Sequence, residues 1–163
     1  MSESNGFEMP RPGEPHARLA KLAGRWDATE TMFPSPWDPA GGARRARTVN
    51  RLTIDGFFLL NEYEQEHEGA VVFRGLGIYG WDAQRERYSM YWVDSMGAPP
   101  SSAVWGSWEA DTLTFAHETP RGHTRYVYVF EADDRYVFRL ESSPDGETWA
   151  PMMIGTYTRV GDA

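Results

Sequence analysis

The 163-residue chain contains no cysteine. That excludes disulfides, thiolate metal sites and a cysteine nucleophile together, and it fits a reducing compartment. No run of apolar residues approaches the ~20 needed for a membrane-spanning helix, and the opening MSESNGFEMPRPGEP has no apolar core of the kind a secretion signal carries. The reading is a cytoplasmic protein. Basic residues are also scarce: 16 Lys and Arg against 24 Asp and Glu give a net charge of −8. Nucleic-acid binding, which depends on neutralising phosphates, is therefore not expected. The one basic cluster, Arg44, Arg45 and Arg47, reads as a solvated strand edge or loop. Nucleophile elbows, phosphate-binding glycine loops and dinucleotide fingerprints are missing too. The glycines of GLGIYG at 75–80 fall within a strand pattern, where they permit a bend or close packing.

What the chain does have is aromatic side chains, 14% of its residues, with seven tryptophans. Aromatics favour strands and also line small-molecule pockets. The length suits one domain, residues 14–163, after a loose tail over 1–13. PHARLAKLAG at 15–24 is the one convincing helix. It has Pro15 in its first turn, Gly24 at its end, and Leu19 and Leu22 on one face.

From Trp26 on, short alternating segments are separated by turn signals such as Glu68-Gly69, Arg121-Gly122 and Pro144-Asp145-Gly146. Ten strands are expected, at roughly 25–33, 43–54, 57–67, 70–80, 86–94, 102–109, 111–118, 123–132, 134–143 and 149–160. Thr124, Tyr126, Tyr128 and Phe130 share a face; so do Tyr136, Phe138 and Leu140, and so do Tyr88, Met90, Trp92 and Asp94. Tight turns without crossover helices mean an antiparallel meander. Closing it removes the exposed edges, so the predicted fold is all-β: a single up-and-down barrel of about ten strands with a short N-terminal helix, a two-sheet sandwich being the alternative. The longer connection PSPWDPAGG is expected to be a mobile loop covering one barrel end.

Several segments carry a family resemblance. They are LAGRW at 22–26, IDGFFLLNEYE at 54–64, GLGIYGWD at 75–82, YSMYWVDSMG at 88–97, GSWEADTL at 106–113, SSPDGETW at 142–149 and GTYTR at 155–159. In order and spacing they resemble a bacterial, calycin-like family known as domain of unknown function fifteen-seventy-nine. Trp81 departs from it, standing where a tyrosine is expected before the aspartate. The resemblance implies a lipocalin or fatty-acid-binding-protein-like barrel and no particular activity. It also implies that Arg159, on the last strand, packs over Trp26 on the first and closes one barrel end. Some calycin barrels hold haem through a single histidine. Here His123, beside the Arg121-Gly122 turn, is the candidate for a place at the barrel mouth, but no other haem signal is present and no cofactor is expected.

For function, the leading expectation is a small, largely apolar ligand held in the barrel by Trp92, Asp94, Trp105, Tyr126 and Tyr128. Met152 and Met153 are further candidates for pocket lining or core. Asp94 has an ordinary alternative, as the cap of the Asp-Ser-Met-Gly turn. Glu62 and Glu64 either pair with an inward arginine such as Arg74 or form a solvent-facing row continued by Glu66. The histidines at 16, 67, 117 and 123 lack ligand spacing, so no metal is expected. A second reading makes Asp94, or a glutamate, the acid/base of an enzyme acting on a hydrophobic substrate. A third is a structural or partner-binding homodimer with no ligand.

Overall fold

The computed structural model describes residues 6–100 and 102–163. Helix α1 (Glu14–Leu19) runs into a 3-10 turn (Ala20–Leu22). Leu19 and Leu22 do share a buried face, but the helical stretch ends at Leu22, and Gly24 opens the first strand instead of capping the helix. Ten strands follow: β1 (Gly24–Met32), β2 (Gly42–Thr53), β3 (Phe58–His67), β4 (Ala70–Asp82), β5 (Arg87–Asp94), β6 (Val104–Glu109), β7 (Thr112–Thr119), β8 (Gly122–Ala132), β9 (Arg135–Ser143) and β10 (Ala150–Gly161). Each pairs antiparallel with the next, and β1 pairs with β10, so the sheet closes on itself. The sandwich alternative is thereby set aside.

Alternation decides which side chains face inward. Along β1, Trp26, Ala28 and Glu30 are buried, while Arg25, Asp27 and Thr29 are exposed. Tight hairpins fix the register. Between β3 and β4, Glu68 and Gly69 both take positive φ, 52° and 81°, the primed-turn geometry that matches strand twist.

The two barrel ends differ. At one end α1 and its 3-10 turn act as a plug: Leu19 and Leu22 pack into the core with Trp26, Tyr88 and Trp108, and the Tyr88 hydroxyl donates to the Pro15 carbonyl at 2.9 Å. Trp26 and Arg159 are cross-strand partners, and the guanidinium lies 4.3 Å from the indole centroid. Arg159 also donates to the carbonyls of Lys21, Ala23 and Asp133, tying plug, β10 and the β8–β9 turn together.

The other end carries the connection 33–41. Asp38 binds Arg44 at 2.7 Å, and the Arg121 guanidinium sits 5.2 Å over the Trp37 ring, so this connection is fastened to β2 and to the β7–β8 turn. Arg44 is therefore no solvated edge residue. It lies on the inward face of β2 and is buried, because Asp38 and the Gly41 and Ala43 carbonyls satisfy it. Arg45 and Arg47 do face solvent. No helix among the described residues is long and apolar enough to cross a membrane.

Candidate functional site

Above the plug the barrel is hollow, with a cavity of about 330 Å³. The core aromatics Tyr79 and Tyr136 belong to its lining, as does Met90, while Trp92, Tyr63, Phe73 and Tyr126 stand towards the open end. Glycine shapes this wall. A Cβ on Gly75 would run into the Trp92 ring, so the GLGIYG segment is the bare stretch of β4 against which that indole lies. Two larger hollows, of about 380 and 510 Å³, are outer grooves lined by charged side chains such as Arg47 and Glu64.

The most unusual group at the cavity is Glu30, which is 0% exposed. Burying a carboxylate costs several kcal/mol unless donors replace its water, and three donors do. Tyr63 Oη and Gln65 Nε2 donate to Oε2 at 2.8 and 2.7 Å, and Tyr157 Oη donates to Oε1. The cross-strand partner Gly155 makes room: a Cβ there would stand 2.9 Å from Glu30 Cγ. Tyr63, Gln65 and Tyr157 all line the cavity, so Glu30 polarises its wall from behind. Burial, and then the Glu30 charge, push both phenols well above their ordinary value, so they are held as proton donors. Burial likewise raises Tyr128 and Tyr136, and takes Tyr79 to about 12 despite its 2.9 Å hydrogen bond to Tyr128.

A second polar ladder joins plug to cavity. The Leu22 carbonyl accepts from Trp26 Nε1 at 2.9 Å and from Asn50 Nδ2 at 2.8 Å. Asn50 Oδ1 then accepts from Thr48 Oγ1 at 2.8 Å and Asn61 Nδ2 at 2.5 Å, and Asn61 also donates to Thr48.

Four of the five expected ligand contacts, Trp92, Asp94, Tyr126 and Tyr128, line this cavity. Asp94 caps its turn, as the ordinary alternative expected, and also faces the cavity. Oδ2 accepts from Trp92 Nε1 at 2.9 Å on the cavity side, and Oδ1 accepts from the Met96 N–H at 2.9 Å in the turn. Its charge, after burial, raises Tyr126. Trp105 must be corrected. On β6 the inward residues are Val104, Gly106 and Trp108, and Trp105 stands outside, 4.8 Å beneath the Arg85 guanidinium. Met153 lines the cavity, whereas Met152, of opposite parity, does not. Glu62 and Glu64 belong to the outer row, paired with Arg51 and Arg74 at 3.1 Å each. His123 alternates with the inward Thr124, and its ring packs on Gly146, outside the cavity lining. His117 has the inward parity of Leu113 and Phe115 and meets Tyr126 at 6.0 Å, and burial lowers its pKa.

Glu30 escaped the reading of the sequence, although its signal was present: it continues the inward row of Trp26 and Ala28 at every second position. Gln65 and Tyr157 were missed because only the closed register brings them to it. Among the described residues no group of three or more His, Asp or Glu side chains is placed to hold a metal ion.

Fold and site together define a closed ten-stranded antiparallel barrel, plugged by its N-terminal helix and hollow above the plug. Residues 11–159 match the family described as "Protein of unknown function (DUF1579)", and the chain belongs to that family. No curated protein matches the chain. Solved structures share the fold, and two of them illustrate it. Rv2717c from M. tuberculosis aligns with a TM-score of 0.66 at 13% identity, covering 90% of this chain and 98% of its own. The S-type phycobiliprotein lyase CPES from Guillardia theta aligns with a TM-score of 0.58 at 11% identity, covering 93% of this chain and 94% of its own.

Proposed function

We propose that this protein binds one small, largely apolar ligand in the barrel cavity, gripped by aromatic faces and oriented by a few polar groups. The observation that carries this reading is the cavity itself, about 330 Å³ and lined by Trp92, Tyr63, Tyr126 and Phe138. A barrel needing only stability would fill that volume with side chains, because unfilled core space costs about 24 cal/mol per Å³. Trp92, Asp94, Tyr126 and Tyr128 are the expected contacts, with the Glu30-backed hydroxyls of Tyr63 and Tyr157 as a second anchor. Asp94 suits anchoring better than proton donation, since both its oxygens already accept hydrogen bonds.

The test uses the full chain and the neutral fluorescent probe N-phenyl-1-naphthylamine. Expected is one-to-one binding, abolished in Leu140→Trp, which fills the cavity from β9, with the melting temperature kept. Equal binding to that variant would place the probe elsewhere and defeat the reading. So would no binding at all, combined with native mass spectra that show only the bare chain mass.

A further inference from the structure

We propose that the ligand carries a positive charge: an amine or quaternary ammonium on an apolar, aromatic-sized body. This rests on the cavity being a ligand site and adds the chemical class it selects.

Hydrogen-bond accounting is the first argument. The Leu22 carbonyl can only accept, so it fixes Asn50 with its amide nitrogen towards the plug and its oxygen towards Asn61. Asn61 must then donate through Nδ2, to Asn50 and Thr48, which leaves Oδ1 as its free group. Gln65 is fixed in the same way, because Nε2 faces the Glu30 carboxylate and Oε1 is left as an acceptor. Tyr63 and Tyr157 give their protons to Glu30, and Trp92 gives its N–H to Asp94. The two amides, the Trp92 indole and the Glu30-bound phenols have thus spent their donors and present acceptors, while Tyr126, Tyr136 and one hydroxyl of the Tyr79–Tyr128 pair are the O–H groups of the lining without an acceptor among the described residues.

Charge is the second. Glu30 is fully buried, and each of its three partners is neutral. The neighbouring cation on β2, Arg44, is bound to Asp38 instead. Asp94 adds a second carboxylate at the rim, and no Lys, Arg or His belongs to the lining. Buried carboxylates in proteins are ordinarily paired with a cation as well as hydrogen-bonded, and a cationic ligand in the cavity would supply that pairing across the Tyr63–Gln65–Tyr157 wall.

Third, the walls are π-faces. Tyr63 and Trp92 lie 6.1 Å apart at 57°, beside Phe73, Tyr126 and Phe138. Aromatic faces attract a cation at close range, most of all away from water. A carboxylate-headed ligand would meet Asp94 at the rim, Glu30 behind the wall, electron-rich faces and no compensating cation. The cavity is built against fatty acids rather than for them.

Three probes sharing one ring system separate the possibilities: 2-naphthylmethylammonium, 2-naphthylmethanol and 2-naphthoate, each titrated calorimetrically into the full chain. The cation is expected to bind about tenfold or more tighter than the alcohol, with naphthoate weaker than both. Glu30→Gln and Asp94→Asn should each pull the cation-to-alcohol ratio towards one while leaving the alcohol's affinity in place. Asp94, at the rim, keeps the test open if Glu30→Gln does not fold. Outer-face Trp105→Phe should change none of the three affinities. If the alcohol or naphthoate binds the wild-type chain as tightly as the cation, the charge inference is overturned and the cavity reading stands. If none of the three binds while N-phenyl-1-naphthylamine does, the charge inference falls and the cavity reading stands; if that probe fails as well, both fall.

Discussion

Trp26→Ala tests whether closure of the plugged end holds the barrel together. The indole is 0% exposed and meets Tyr136 edge-on at 4.7 Å. Removing a buried tryptophan side chain costs about 3–5 kcal/mol in lost burial and cavity formation. The Arg159 stack adds about 0.5–1 kcal/mol, being exposed on one side. Loss of the indole N–H adds little, because the Leu22 carbonyl still accepts from Asn50. The total is about 3.5–6 kcal/mol, against roughly 5–15 for a whole domain. At about 2–4 °C per kcal/mol for a chain of this length, melting should fall by about 7–24 °C. Trp26→Phe, which keeps most of the volume, should lose only about 1–2 kcal/mol. Urea titration followed by far-UV circular dichroism, with the slope checked for constancy, measures both variants. A Trp26→Ala protein melting within about 4 °C of the parent would refute the reasoning, since neither the buried indole nor the Arg159 stack could then be holding the plug.

The other predictions concern the open end and the cavity wall. Asp38→Ala strands the buried Arg44 guanidinium and should cost about 1–3 kcal/mol in urea, whereas Asp38→Ala with Arg44→Met should recover much of it; equal stability of single and double variants would contradict the clamp. Gly75→Ala should drive the Trp92 ring into the cavity, visible as a shifted tryptophan emission maximum and weaker probe binding, and unchanged spectra would mean the indole does not rest on that glycine. Burial lowers His117 from its ordinary 6.5, so the unfolded chain takes up that proton first as pH falls. The stability it contributes is present above 6.5 and is lost as pH drops through the folded value. His16 is shifted in the same sense, so His117→Gln should flatten the stability profile below pH 6.5 only in part, and an unaltered slope would count against the burial. Asp145 is pulled down to about 2 by the Thr148 and Glu147 N–H groups and the Ser143 hydroxyl. It should stabilise the 144–149 turn above its ordinary 3.8 and release it as pH falls towards 2, and Asp145→Asn should remove that acid-limb dependence in hydrogen exchange of those amides.

The barrel was legible because period-two burial and tight-turn chemistry both reside in local sequence. The shared faces of Tyr126 with Tyr128, of Tyr136 with Phe138, and of Met90 with Trp92 are all inward in the structure. Trp105 misled for a specific reason. Both faces of 102–109 carry a tryptophan, so residue type could not set the phase. What sets it is Gly106, where a Cβ would press on the Phe115 ring, placing Val104 and Trp108 on the core side. Glu30 shows the opposite limit. Its parity was readable from Trp26, but a carboxylate on an apolar face acquires meaning only from donors 33, 35 and 127 residues away. Arg44 was hidden in the same manner, since its burial depends on Asp38 in a loop whose path the local sequence does not dictate.

The two ends of the barrel solve the same problem by different means. At the plug, interior volume is filled by aromatics: Tyr136 stacks on Tyr157 at 4.7 Å and 7°, and Phe130 stacks on Trp108 at 5.6 Å. Towards the open end the same strands keep polar groups inward, and Glu30, Thr48, Asn61 and Gln65 bond chiefly to one another and to neighbouring inward side chains rather than to the sheet. Tyr157 belongs to both regimes, with its ring in the aromatic stack and its hydroxyl on Glu30. A network satisfied in this way adds little net stability over an apolar filling of equal volume, yet it fixes the orientation of every amide and hydroxyl along the ladder from Leu22 to Asn61. A barrel selected for stability alone has no use for that orientation. A barrel that must present one charge pattern to one kind of ligand does, because the acceptors have to be in place before the ligand arrives if ordering them is not to weaken binding.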